Sequence, residues 1–288
     1  MLEDRDTWID PAAPDVARAL HDAAWNHPDA PERYVLLDAA FSPRLPERLA
    51  RWLDAEDYCS LYAGRYQGEG LDQVAPYLLR LPWVPALRAP LCDKLLQLTR
   101  GRPMLSLLTT PASLAQLADH LGRQIEAVDA DGKAYLLRLA DTRSFAALLD
   151  VFAPAQRQRL LAGIERWSYA DRHGALRVAQ GDPRFDPAAP TDPYVIAADQ
   201  QRHLRLLALP DAILRFVQLR APLFGALNGP PSTAYQLILE GVQRLARRGL
   251  DNEALAYRHA LALLRRRGML APVNPMPSLA ASSTELSS

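Results

Sequence analysis

Six histidines, two cysteines and a run of arginines are the side chains of this sequence with the most chemistry to offer, and their spacing limits what that chemistry can be. His21, His27, His120, His173, His203 and His259 are dispersed. None sits with a second histidine or a cysteine at the spacing that a metal site on one helix face requires. Cys59 and Cys92 form no paired motif, so they suggest neither a disulfide framework nor zinc and read as buried thiols. The strong local signatures of a nucleophile elbow, a zinc protease helix and a phosphate-binding loop are all missing. Gly64, Gly68 and Gly70 follow a strand, but their spacing is not the dinucleotide fingerprint, and a flexible turn is the simpler reading. No cofactor and no metal are therefore expected. A hydrolase or transferase stays open only with a site assembled from non-local residues in a cleft between lobes.

Arg244, Arg247, Arg248, Arg258, Arg265, Arg266 and Arg267 lie on two successive helical stretches. Such a cluster could grip phosphate, which is the case for a nucleic-acid-binding protein. Against it, the chain holds 33 basic and 33 acidic side chains, and only Tyr235 and Tyr257 interleave the arginines. Charges that complement the helix dipole and a solvated face are the first reading, protein contact the second and nucleic acid the third. Arg244, Arg247 and Arg248 are the candidates for partner contact. The charges are unevenly placed: residues 1–60 carry 13 acidic and 6 basic side chains, residues 200–268 carry 4 and 11. Opposite lobes that attract, or a basic surface for a partner, would each account for this. Lysine occurs only at 94 and 133, so the positive charge is nearly all arginine, the better residue for forked contacts to carboxylates.

Hydrophobic residues make up 49% and charged residues 23% of the chain, which excludes a disordered protein. Charged residues break every apolar run short of membrane-spanning length, and residues 1–10 lack the basic start of a secretory signal, so a cytoplasmic location is expected.

The elements that would carry these residues follow from the apolar pattern. Tyr34 to Leu37 reads as a buried strand and Pro43 to Asp54 as a helix with Leu45, Leu49, Trp52 and Leu53 on one stripe. Strands follow at Tyr58 to Ala63, Tyr77 to Leu81 and Met104 to Leu108, with a helix carrying Leu87, Leu91, Leu95 and Leu98 before the last. Thr110-Pro111 reads as a helix start, a hydroxyl cap followed by proline at the first helical position. Asp129-Ala130-Asp131-Gly132 and Asp171-Arg172-His173-Gly174 each predict a hairpin. Asp141-Thr142 caps a helix holding Phe145, Leu148, Leu149 and Phe152, and Pro154 opens another. Helices are expected over 199–207, 211–220, 232–248 and 251–267, the last two ended by Gly249 and Gly268.

The fold class is thus an α/β (α+β) N-terminal lobe with a mixed β-sheet flanked by helices, plus an all-α C-terminal lobe. Residues 1–33 read as an N-terminal extension with one short helix from Asp15 to Trp25, and 34–180 as the α/β lobe. Residues 181–193, with Pro183, Pro187, Pro190 and Pro193, read as a Pro-rich linker, 194–268 as the helical lobe and 269–288 as a disordered tail.

Five stretches in order carry a resemblance: Tyr34-Val35-Leu36-Leu37-Asp38, Ser60-Leu61-Tyr62-Ala63-Gly64, Val74-Ala75-Pro76-Tyr77-Leu78, Thr110-Pro111-Ala112-Ser113-Leu114, and Leu136-Leu137-Arg138-Leu139-Ala140-Asp141-Thr142-Arg143. Together they resemble the type VI secretion adaptors, the Tap or TEC proteins, from about Tyr34 to Ile164. The resemblance implies a protein that binds a cognate toxic effector in the cytoplasm and passes it to the VgrG spike protein, with no catalysis, no nucleic acid and no membrane insertion. Its motif positions here are Asp38, Tyr62, Gly64, Pro76, Pro111, Arg138, Asp141 and Arg143, read as structural, with Asp141 and Arg143 paired at a helix start. Where the family has an aromatic before the Asp and a proline after it, this chain has Ala140 and Thr142, and threonine can cap but cannot lock φ.

Overall fold

Tyr34, Val35, Leu36 and Leu37 are all fully buried, which a strand achieves only when both faces of its sheet are covered. The computed structural model describes residues 7–22, 31–185, 190–250 and 252–272. Its helices and strands run, in order, α1 (Pro14–His21), β1 (Glu32–Asp38), α2 (Leu45–Trp52), β2 (Tyr58–Ser60), β3 (Pro76–Arg80), α3 (Pro85–Leu98), β4 (Leu105–Thr110), α4 (Leu114–Gln124), β5 (Glu126–Asp129), β6 (Ala134–Leu136), α5 (Thr142–Val151), α6 (Pro154–Leu160), β7 (Arg166–Ala170), β8 (Leu176–Gln180), β9 (Tyr194–Ile196), α7 (Ala198–Leu219), α8 (Ala221–Phe224), α9 (Pro231–Arg247) and α10 (Glu253–Arg266).

The chain divides into two compact units, Met1–Ala208 with Pro230–Ser232, and Leu209–Gly229 with Thr233–Ser288. In the first, six strands form one sheet in the order β2-β3-β1-β4-β7-β8, and every neighbouring pair is antiparallel. Alternation along β1 sends Tyr34 and Leu36 to one face and Val35 and Leu37 to the other. On the first face Tyr34 and Leu36 join Leu117 and Leu121 of α4, Phe145 and Leu148 of α5, and Trp167. Trp167 stacks on Phe145 with ring centroids 4.1 Å apart. On the second face Val35 and Leu37 meet Val16 and Leu20 of α1, Leu45 and Leu49 of α2, and Leu91 and Leu95 of α3. A smaller mixed sheet, β6-β5-β9, pairs β5 antiparallel with β6 and parallel with β9, and buries Ala127, Tyr194 and Ile196 against the first face. The mixed-sheet, helix-flanked reading of the sequence therefore holds, with the large sheet antiparallel and the small one mixed.

In the second unit helices supply the core. Ile213, Leu214 and Val217 of α7 are buried there, as are Ile238, Leu239 and Val242 of α9 and Ala260, Leu263 and Leu264 of α10. Gly241 of α9 leaves room for Leu263, whose Cδ1 would stand 2.6 Å from an added Cβ. An isolated antiparallel bridge joins Leu227 to Leu270.

Two local expectations are corrected. Thr110 is the last residue of β4 rather than a helix cap: its hydroxyl donates to the Gly163 carbonyl and accepts from the Ala112 amide. The helix instead begins with a reciprocal capping box between Ser113 and Gln116, three residues later. The two helices expected on either side of residues 208–210 are one, α7, with Pro210 inside it. Proline there removes one backbone donor, and burial of Pro210, Ile213, Leu214 and Val217 compensates for it.

Residues 8–13 are held to turns beside the sheet. Trp8 and Ile9 donate their amides to the Gly101 carbonyl, Asp10 to Arg172 and Ala13 to Gly174. Ile9, Val16 and Leu20 are buried. α1 ends at His21, and the part of the expected helix beyond residue 22 lies outside the described residues. Of the Pro-rich stretch, Arg184 accepts a bond from the Gly163 amide, Phe185 lies 5.3 Å from the His120 ring, and Asp192 accepts one from Arg159. Residues 273–288 lie outside the described residues.

Candidate functional site

Asp38 ends β1, where its backbone leaves the sheet for a 3-10 turn over Ala39–Phe41. Its carboxylate caps that turn by accepting from the Ala40 amide at 2.9 Å and accepts a second bond from Arg138 Nη2 at 2.6 Å. Arg138 also lies 3.6 Å from Asp141. Asp141 caps α5 through the Arg143 amide, and the Arg143 guanidinium folds back on the same carboxylate, with Nε at 3.1 Å and Nη2 at 2.9 Å. Phe41 lies 5.1 Å from the Arg138 guanidinium and 5.4 Å from that of Arg143, and Trp8 lies 5.0 Å from Arg143. Trp8 and Phe41 meet edge to face at 5.5 Å. Two carboxylates, two guanidiniums and two rings therefore form one knot.

The two carboxylates differ in their partners. Burial pushes Asp38 above its ordinary value, because its partner Arg138 is 44% exposed and answers only part of that cost. Burial alone would also raise Asp141, but the buried, two-pronged Arg143 holds it below the ordinary value. Burial, then the nearby Asp38 charge, push the Tyr62 phenol up.

The motif positions occupy separate structural posts around this knot. Tyr62 packs edge to face on Tyr66 at 5.1 Å, and Gly64 turns the chain with φ of 73° after β2. Pro76 opens β3 opposite Asp38, and Pro111 lies exposed between β4 and α4. Arg138, Asp141, Arg143 and Asp38 are brought together; Pro111 is not among them. Arg244, Arg247 and Arg248 are exposed near the end of α9, and Arg244 donates to the Glu240 carbonyl at 3.1 Å. Among the described residues no group of three histidine, cysteine or carboxylate side chains could hold a metal ion. No described helix is long and apolar enough to cross a membrane. Burial raises both thiols, Cys59 and Cys92, to about 11.

A different kind of site lies between α2 and α3. There a cleft of about 730 Å³ is lined by Trp52, Leu53, Leu81, Trp83, Val84, Leu87 and Pro90. Trp83 is 40%, Val84 53% and Leu87 64% exposed. Leu87 shares a stripe with Leu91, Leu95 and Leu98 in sequence, yet it stands on the first turn of α3, beyond the edge of the core. Polar groups rim the cleft: Arg80 grips Asp57 with two nitrogens, at 3.1 and 2.8 Å, and Lys94 stands 5.7 Å from the Trp52 ring centroid. The Arg88 side chain donates to the Pro82 and Trp83 carbonyls, fixing the turn that presents Trp83. Neither the cleft nor the aromatic share of the knot was apparent from local motifs. The adjacent Trp83-Val84 pair just before a proline-started helix was the available signal.

Residues 33–159 match a family model described as a domain of unknown function, DUF4123. The matched span contains Asp38, Phe41, Arg138, Asp141 and Arg143 and the whole of the α2–α3 cleft. No curated protein and no solved structure matches the chain.

Proposed function

We propose that this chain is a type VI secretion adaptor, which binds a cognate toxic effector in the cytoplasm, keeps it soluble and hands it to the VgrG spike, and carries out no reaction of its own. The five-motif resemblance and the family match over the same region support this reading. The observation that carries it is the open apolar cleft with Trp83, Val84 and Leu87 at its mouth. Apolar side chains grouped on a surface mark a place where another protein is held, and a tryptophan in such a group is a common anchor. The charged motif residues, by contrast, are engaged with one another and serve to fasten the end of β1 to the start of α5. The exposed Arg244, Arg247 and Arg248 are assigned to steering an acidic partner surface, an effect on encounter more than on affinity.

The test is co-expression with the products of the reading frames that flank this chain's gene, and the adaptor reading expects a VgrG and a large toxin among them. The intact chain is expected to co-purify with the toxin, and Trp83→Asp with Leu87→Asp is expected to weaken that retention at least tenfold while the thermal midpoint stays within about 2 °C, since both side chains are at the surface. Retention unchanged by the pair would remove the cleft from the reading. Failure of the intact chain to retain any neighbour would remove the adaptor role itself.

A further inference from the structure

β8 is an edge of the six-stranded sheet, and among the described residues no strand pairs with its outer side. The Gly181 amide donates to Glu165 and the Asp171 amide to Ala175, with Trp167 opposite Ala179 and Tyr169 opposite Arg177. This register turns the backbone of residues 177 and 179 toward β7 and that of residues 176, 178 and 180 away from the sheet. Asp15 of α1 takes the Leu176 amide with its carboxylate at 3.4 Å. Among the described residues the outward amides and carbonyls of Val178 and Gln180 have no hydrogen-bond partner. Sheet edges are ordinarily blunted by proline, lysine, a bulge or a covering element. Leu176-Arg177-Val178-Ala179-Gln180 contains no proline or lysine and pairs with β7 without a break in register. Val178 is 42% exposed, and the one charge, Arg177, is bound to Asp171 at 2.7 Å.

We propose that β8 is a docking edge which takes an extended segment of a partner polypeptide as a seventh strand of the sheet. The partner's existence rests on the adaptor reading; the mode of attachment does not. After Asp15 has taken its amide, the carbonyl of Leu176 and both backbone groups of Val178 and of Gln180 remain, and one added strand can bond them all. A second copy of this chain fits less well. Two-fold pairing centred on Val178 would set each Gln180 carbonyl opposite a Leu176 amide already occupied, so that the Asp15 carboxylate would face a carbonyl oxygen. Leu176 packs on the face that α1 covers and Ala179 on the other. The segment that fits is therefore an alternating one, with an apolar side chain lying beside Val178.

The experiment uses the full chain with whichever flanking gene product it retains. Val178→Pro deletes an outward amide without touching the β7 ladder, and Val178→Thr keeps it. Strand addition predicts that Val178→Pro weakens the complex at least tenfold in Kd, that Val178→Thr stays within twofold, and that the Val178 and Gln180 amides of the unaltered chain exchange hydrogen at least tenfold more slowly in the complex. The exchange measurement decides the matter even if the proline variant misfolds. A complex that forms equally well with Val178→Pro and leaves both amides unprotected overturns the docking edge while leaving the adaptor role standing. Self-association of the chain alone that protects the same amides overturns it in favour of a second copy. If the intact chain binds no flanking product, both readings fall together.

Discussion

Asp38 and Asp141 lie in one knot yet behave oppositely, because one has a half-exposed partner and the other a buried partner bonded twice. Arg143→Ala would leave the Asp141 carboxylate buried with only the more distant Arg138 to answer it. Such a break is expected to cost about 3–5 kcal/mol, read as a lower midpoint in urea unfolding. A loss below about 1 kcal/mol would show that the Arg143–Asp141 pair contributes little to stability and that the knot is not structural. His120 is expected to make stability depend on pH near neutrality. It is buried, with Nε2 3.2 Å from the Leu160 carbonyl, and burial lowers its pKa from the ordinary 6.5. The unfolded chain therefore binds a proton at this site before the folded one does. The stabilisation from keeping it neutral is complete above pH 6.5 and is lost as pH falls below that value. Thermal midpoints measured from about pH 7.5 to about 5.5 should fall more steeply for the native chain than for His120→Gln. Parallel slopes would exclude His120 as the group responsible.

At the scale of elements, two glycines separate backbone strain from docking of the first segment. Gly64 and Gly174 both have φ of 73°, but an added Cβ meets nothing within 4 Å at Gly64 and would stand 2.1 Å from the Pro11 carbonyl oxygen at Gly174. Gly64→Ala is expected to cost about 1 kcal/mol for the left-handed backbone alone. Gly174→Ala should cost about 1–2 kcal/mol more, because the segment carrying Pro11 must lift. Equal losses in urea unfolding would mean that this segment contributes nothing to stability. The elements themselves were largely legible. Tyr34 to Leu37 reads as a strand because a run buried on both faces is continuously apolar, and the two hairpins are announced by Gly132 and Gly174. The Ser113–Gln116 capping box was equally present in the sequence, but Thr110-Pro111 offered a competing start, and only the use of Thr110 by Gly163 resolves the choice. β9 was missed because three residues after a Pro-rich stretch carry too little periodicity to announce a strand. The knot was half legible. Asp141 and Arg143 are neighbours, whereas Asp38 and Arg138 are 100 residues apart, and Trp8 and Phe41 belong to no motif that points to a guanidinium.

For the whole molecule, the proposed adaptor role would call for more than one place of attachment. The α2–α3 cleft and the β8 edge, both in the first unit, are different in kind. The cleft offers apolar side chains and suits an anchor residue; the edge offers backbone groups and suits a strand of almost any sequence with the right alternation. Affinity and specificity can thus be assigned to different surfaces. Residues 200–268 carry 11 basic against 4 acidic side chains, a balance that would attract an acidic partner surface.

The early residues are fastened to turns that lie far along the chain: Asp15 bonds Leu176, 161 residues away, and Ala13 bonds Gly174. On the ribosome this latch emerges long before its catch has been made. The β7–β8 hairpin must be synthesised before Asp15 can bond Leu176 and Ala13 can bond Gly174. The last fastening of this segment is therefore a late event in biogenesis, and a nascent chain stalled before Gly174 would hold α1 to the sheet by its apolar contacts without these two bonds.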